Sequence, residues 1–157
     1  MEKQIYIYGS VSKKCLYALR SVFELTLRGN GRPVKVHEIA QAQDIPLRFL
    51  EVILNQLSHG GFVQSWRGKN GGYQLARDPL RLTVGEIIRF LQGTSGIAKD
   101  NEEKSYSKIA KSGDYAFAQI WEKVAQAESK IYDSTTFSEL VEKELDINKV
   151  YALNYSI

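Results

Sequence analysis

The apolar residues of this chain fall into five stretches of helical spacing and two short ones of alternation. Between Ser12 and Gly29, Leu16, Leu19, Val22, Phe23 and Thr26 share one face, with Ser12 suited to cap the start and Gly29 to stop the helix. "NGRP" then reads as a loop. Val36, Ile39 and Ala40 predict a second, short helix that breaks at "QDI". Pro46 suits the first turn of a third helix, where its missing N–H costs nothing. That helix is predicted to bury Leu47, Leu50, Ile53, Leu54 and Leu57 and to end at Gly60–Gly61.

The third helix carries a second stripe, Arg48, Glu51, Val52 and Asn55, away from its apolar face. Two helices joined by a tight turn, the second with an exposed polar stripe, fit a helix-turn-helix; they also fit an ordinary helical hairpin. The next stretch favours the first reading. "FVQSW" alternates, "RGKNGG" turns and "YQLA" alternates again. Asn70–Gly71 is a hairpin signal, because both residues tolerate positive φ. Three helices and a hairpin make a winged helix. No βαβ unit surrounds these glycines and no Walker spacing is present, so a phosphate cradle is excluded. Arg67 and Lys69 on a glycine-rich tip suit a narrow, electronegative groove of DNA; a solvated turn is the plainer alternative.

Thr83-Val-Gly-Glu86 is a capping box opening a helix that Gly93 ends. Residues 94–113 are polar and aperiodic, and read as a flexible loop. From Asp114 to Ser134 a long amphipathic helix carries Phe117, Ile120, Trp121, Val124 and Ile131 in one stripe. A partner subunit is the economical cover for that stripe, the chain's own domain the alternative. Thr136-Phe-Ser-Glu139 is a second capping box, starting a last short helix, and "DINKVYALNYSI" reads as a strand or a tail. The expected fold is mainly α with a small β-hairpin. Residues 1–10 form an extension, 11–93 a winged-helix DNA-binding domain, 94–113 a loop, and 114–157 a dimerisation helix with a C-terminal segment.

Composition narrows the class. At 157 residues, 43% hydrophobic and 25% charged, the chain can bury a core. No apolar run of about 18 residues exists to span a membrane, and "MEKQIYIYGS" is too short and polar for a signal peptide. A lone cysteine, Cys15, forms no internal disulfide, so a cytoplasmic protein is expected. Charge is uneven: residues 1–93 hold 13 Lys and Arg against 7 Asp and Glu, and residues 94–157 hold 8 against 11. A basic front suits a polyanion. There is no paired-carboxylate site, Ser/His/Asp or Cys/His arrangement, or metal-ligand spacing, which argues against an enzyme. His37 and His59 are isolated, and Cys15 on an apolar helix fits a small core residue better than a sensor.

"SKKCLYALR", "VHEIAQAQDIPLRFLEVILNQL", "GFVQSWRGKNGGYQLAR" and "LTVGEIIRFLQG" together resemble consecutive blocks of the IscR-like family of bacterial winged-helix transcription regulators. The similarity runs from about Val11 to Leu140. It implies a homodimer on a partly palindromic operator, usually repressing, with the third helix in the major groove and a wing arginine in the minor groove. By position, Glu51 matches a base-facing glutamate, suited to accept from cytosine N4, and Arg67 matches the wing arginine, flanked by Gly68 and Lys69. Lys14 and Lys35, near helix starts, would meet phosphates. Arg48 would meet guanine or a phosphate, and Asn55 completes the DNA-facing stripe.

The departures bear on the cofactor. Many relatives hold an iron–sulfur cluster with three closely spaced cysteines before the long helix. Residues 92–113 contain none here, so neither cluster nor any other metal is expected. Lys69–Asn70 stands where relatives often show proline and glycine. Ile5, Tyr6, Ile7 and Tyr8 lie outside the pattern and would add a strand or pack on a partner. A second class of function stays open, a module that controls a metabolic enzyme by binding it; a protein effector is thus a further expected partner.

Overall fold

The computed structural model describes residues 11–29, 31–93 and 113–154. The expectations for residues 1–10 and for the loop 94–112 lie outside these residues. Three helices lead: α1 (Lys13–Arg28), α2 (Val36–Gln43) and α3 (Leu47–His59). A two-stranded antiparallel hairpin follows, β1 (Val63–Trp66) with β2 (Gly72–Leu75). Then come α4 (Val84–Gln92), α5 (Asp114–Ser134) and α6 (Phe137–Asn154). The architecture is mainly α with one small hairpin.

The start and stop signals act as expected. Ser12 Oγ accepts from the Cys15 amide at 3.2 Å, and Gly29 caps the other end of α1. Thr83 and Glu86 form the reciprocal capping box of α4. Thr136 and Glu139 form a second, with bonds of 3.1 and 3.3 Å. Asp44 turns the chain between α2 and α3 in the left-handed region at φ 50°, which aspartate tolerates better than most residues.

Ala18, Val22 and Leu25 of α1, Ile39 of α2 and Leu50, Ile53, Leu54 and Leu57 of α3 form the centre of one core. Phe62 and Val63 extend it towards the hairpin, and Leu82 and Ile87 towards α4. Phe137, at the start of α6, is fully buried in this same core.

Several sequence expectations are corrected. The inward face of α1 is Cys15, Ala18, Val22 and Leu25, rotated from the predicted one. Leu16, Leu19, Phe23 and Thr26 are half-buried, because α1 is covered on a second side by the C-terminal helices. Leu47 is 45% exposed, since Pro46 is the cap residue and Leu47 begins the helix on its open side. The strands do not alternate: β1 buries only Val63, and Trp66 is largely exposed. The hairpin does not turn on Asn70–Gly71 alone. Pairing ends at Trp66 and Gly72, leaving a five-residue tip, 67–71. Gly68 takes φ 95° and its carbonyl accepts from the Gly71 amide at 2.9 Å. The positive φ thus falls on Gly68, while neither Asn70 nor Gly71 has one. The C-terminal segment is neither strand nor tail through Asn154, and the last helix is 18 residues long.

Candidate nucleic-acid interface

Four buried residues fix the roll of α3: Leu50, Ile53, Leu54 and Leu57. Arg48, Glu51, Val52 and Asn55, at i, i+3, i+4 and i+7, are therefore held outward on one stripe. The turn before α3 is equally fixed. Ile45 is buried and its amide donates to the Ala40 carbonyl at 3.0 Å. Behind the turn, the buried Glu24 of α1 accepts from Gln43 Nε2 at 2.6 Å and pairs with Arg28. Gln43 is the last residue of α2, so α1 holds the end of the first helix of the helix-turn-helix.

The first turn of α1 lies beside α3. Lys13, Lys14 and Tyr17 face Pro46, Phe49, Val52 and Ile53 across an open apolar notch of about 440 Å³. Lys35 precedes α2, and its neighbour Val34 bridges Tyr73 of β2 through bonds of 2.7 and 2.8 Å. That bridge brings Arg32 and Lys35 against Asn70 and Gly71 of the tip. The structure thus places Lys14 with α3, and Lys35 with the wing.

At its root the wing is stapled by Arg77. The guanidinium lies 4.0 Å from the Phe62 ring centroid and donates to the carbonyls of Gly60 and Gly61, each at 3.1 Å. It also reaches Glu86 of α4 at 3.2 Å. The end of α3, the hairpin and α4 meet on one side chain. Sequence reasoning missed this residue: an arginine after a strand carries no local signal of its partners. Arg32 was also missed.

Lys14, Lys35, Arg48, Glu51, Asn55, Arg67, Gly68 and Lys69 are all exposed. Among the described residues, no side chain of the charged ones has an ion pair or hydrogen bond. Five cations and one carboxylate stand free on the surfaces formed by α3, the helix starts and the hairpin tip. The carboxylate is also the one charged acceptor on the α3 stripe, suited to a cytosine amino group.

The comparisons with known proteins bear on the family and the fold. Residues 11–143 match the model of the Rrf2 family, described as "Iron-dependent Transcriptional regulator". This chain belongs to the Rrf2 family. It is 30% identical over 130 residues to the HTH-type transcriptional regulator CymR of Bacillus subtilis, covering 83% of this chain and 88% of that protein. The solved structure of T. potens IscR superposes with a TM-score of 0.69 at 30% identity, covering 85% and 87% of the two chains. The structure of CymR, the global cysteine regulator of B. subtilis, gives 0.68 at 29% identity, covering 85% and 96%. The protein is a DNA-binding transcriptional regulator of the helix-turn-helix class.

Iron dependence in the Rrf2 family's description raises the question of a metal site. The residues present do not fit an iron–sulfur cluster. Thiolates are its ordinary ligands, and residues 92–113 hold no cysteine. Cys15 is fully buried, and burial pushes its thiol up to about 11. Among the described residues no three His, Cys, Asp or Glu side chains converge on one point. His37 and His59 are both exposed, and His59 Nδ1 lies 2.8 Å from the Asn55 carbonyl. Likewise, no helix among the described residues is long and apolar enough to cross a membrane.

Proposed function

We propose that the protein is a homodimeric repressor acting without an iron–sulfur cluster at a partly palindromic operator. Residues 11–93 read DNA and residues 114–157 dimerise. The α3 stripe enters the major groove, where Glu51 accepts from a cytosine amino group and Arg48 and Asn55 meet neighbouring edges or phosphates. Arg67 enters the adjacent minor groove, with Gly68 and Lys69 shaping the approach. Lys14 and Lys35 meet phosphates, which position the protein without specifying sequence. One observation carries this reading: Arg48, Glu51, Arg67 and Lys69, all unpaired, stand on the two elements shaped for the two grooves, one helix and one hairpin tip, with Lys14 and Lys35 free at the helix starts beside them.

The homodimer is supported by α5, which buries no residue within the chain. Phe117, Ile120, Trp121 and Val124 are 43–58% exposed, and Ile131 is 62% exposed. Selection of duplexes from a random pool, followed by competition titration, tests the proposal. Glu51→Ala should relax preference at one base pair per half-site by about 1–3 kcal/mol. Arg67→Ala should weaken binding and blunt preference for A·T-rich flanks. Changing the spacing between half-sites should weaken both variants and the parent. Unchanged selectivity in both variants, or indifference to spacing, would refute this arrangement. A repressor also requires that the bound site block transcription from an overlapping promoter in a purified system.

A further inference from the structure

The α3 stripe contains one residue that neither accepts nor donates. Val52 is 61% exposed, flanked on its own face by Arg48, Glu51 and Asn55. Next to it, Phe49 is 64% exposed. Exposed apolar side chains are common singly, but these two form one wall of a concave surface. Pro46 continues that wall, Tyr17 of α1 faces it and Ile53 lies at its base. Its rim is cationic: Lys13 and Lys14 line it and no carboxylate does. Lys13 Nζ lies 5.7 Å from the Tyr17 ring centroid, so the rim charge sits over the notch's own aromatic wall.

An apolar floor with a cationic edge matches one feature of duplex DNA. In the major groove, thymine alone among the four bases presents a methyl group, at C5, and its strand's phosphates lie at the groove edge. Continuity with the α3 stripe places Val52 among the side chains that meet base edges, while Lys13 and Lys14 stand on the outer side of the same notch. We propose that this notch is a thymine-reading subsite: Val52 packs on a thymine C5 methyl, Phe49 walls off water, and Lys13 and Lys14 meet the flanking phosphates. The inference rests on the DNA-reading role proposed above for α3 and adds a base that the hydrogen-bonding residues do not read.

Replacing thymine by deoxyuridine removes that methyl and leaves the base-pair hydrogen bonds intact. With the full chain and a duplex selected from a random pool, each thymine is replaced in turn and binding measured by competition. One thymine per half-site should give about four-fold weaker binding, the fold-change matching burial of one methyl at about 0.8 kcal/mol. Replacing it in both half-sites should give about fifteen-fold. In Val52→Ala the thymine and uracil duplexes should bind alike, while the Glu51-dependent preference is kept. Val52 is exposed, so the variant should melt as the parent does, which the same preparation checks. Equal uracil penalties in parent and Val52→Ala, or no methyl effect at any thymine, would overturn the subsite while leaving sequence-specific binding intact; the notch would then belong to a protein or small-molecule occupant. Failure to select any sequence would overturn the DNA-reading proposal itself, and this inference with it.

Discussion

Removing the Glu24 carboxylate should loosen the helix-turn-helix from behind. Glu24 is 3% exposed and accepts from Gln43 at 2.6 Å, joining the middle of α1 to the end of α2. Its second partner, Arg28, has a side chain 44% exposed, so that pair is screened and worth at most about 0.5 kcal/mol. The Gln43 bond is half-buried and charge-assisted, worth about 1.5–3 kcal/mol. Truncation also removes one buried methylene, at about 0.8 kcal/mol. Glu24→Ala should therefore destabilise by about 2–4 kcal/mol, and Glu24→Gln, which keeps the stem and one acceptor, by about 1–2 kcal/mol.

Urea denaturation at fixed protein concentration reads this as a lower midpoint with an unchanged slope. The sharper test is a pair of double-mutant cycles. Coupling between Glu24 and Gln43 should be about 1–2 kcal/mol, and coupling between Glu24 and Arg28 below about 0.5 kcal/mol. Operator affinity should fall further than the unfolded fraction explains, because α2 is freed relative to α1. A Glu24→Ala midpoint within error of the parent, or coupling found with Arg28 instead of Gln43, would refute the assignment of Glu24 as a tie between helices.

Four further outcomes are expected. Trp121→Asp places a charge in the exposed stripe of α5 and should give monomers by light scattering; a full-strength dimer would move the seam elsewhere. Cys15 should resist alkylation in the folded protein, because burial raises its thiol to about 11 and leaves little thiolate. Since the folded thiol holds its proton more tightly than an ordinary thiol near 9, its contribution is full below pH 9 and is lost as pH rises towards 11, by about 3 kcal/mol; Cys15→Ala should flatten that alkaline decline in a melting series. Arg77→Ala should cost about 1–2 kcal/mol of stability and blunt the A·T flank preference while sparing the Glu51-dependent one; intact flank preference would show that the wing stands without it.

Local chemistry made much of this molecule legible. Both capping boxes are four-residue signals that need no tertiary information, and both form where the sequence places them. The α3 stripe is legible because the opposite face is strongly apolar. Its first residue is not, since Leu47 belongs to the apolar pattern by composition but to the open side by roll. The inward face of α1 was obscured for a different reason. It includes Cys15, Ala18 and the buried polar residues Ser21 and Glu24, which hydrophobic patterning discounts. Close packing selects these residues: Ser21 turns its hydroxyl back to the Tyr17 carbonyl, and Glu24 reaches Gln43 at the end of α2. The tip shows the limit of dipeptide signals: Asn70–Gly71 permits a tight turn, but the pairing of Trp66 with Gly72 closes a wider one. The C-terminal helix has Leu145, Ile147, Val150 and Tyr151 all 44–60% exposed, so no buried stripe announced it.

How the DNA-reading part is joined to the C-terminal helices follows from those same capping boxes. Thr83 and Thr136, the two cap residues, face each other in an antiparallel bridge. Beside them the Val84 amide donates to the Thr135 carbonyl at 3.0 Å and the Phe137 amide to the Leu82 carbonyl at 3.1 Å. Each box satisfies the amides of its cap residue and of its third helical residue, and the bridge takes up the first helical amide of each, so it binds one segment to the other without competing with a cap. Phe137 then buries its ring in the shared core, and Arg89 of α4 pairs with Asp133 of α5. The approach is close enough that a side chain at Gly85 would strike the Asp133 carboxylate. Such a joint resists bending, because moving α5 against α4 breaks the bridge, the ion pair and the Phe137 packing together. That stiffness is what the proposed dimer needs. Half-site spacing can be read only if each recognition helix keeps a fixed position relative to the seam.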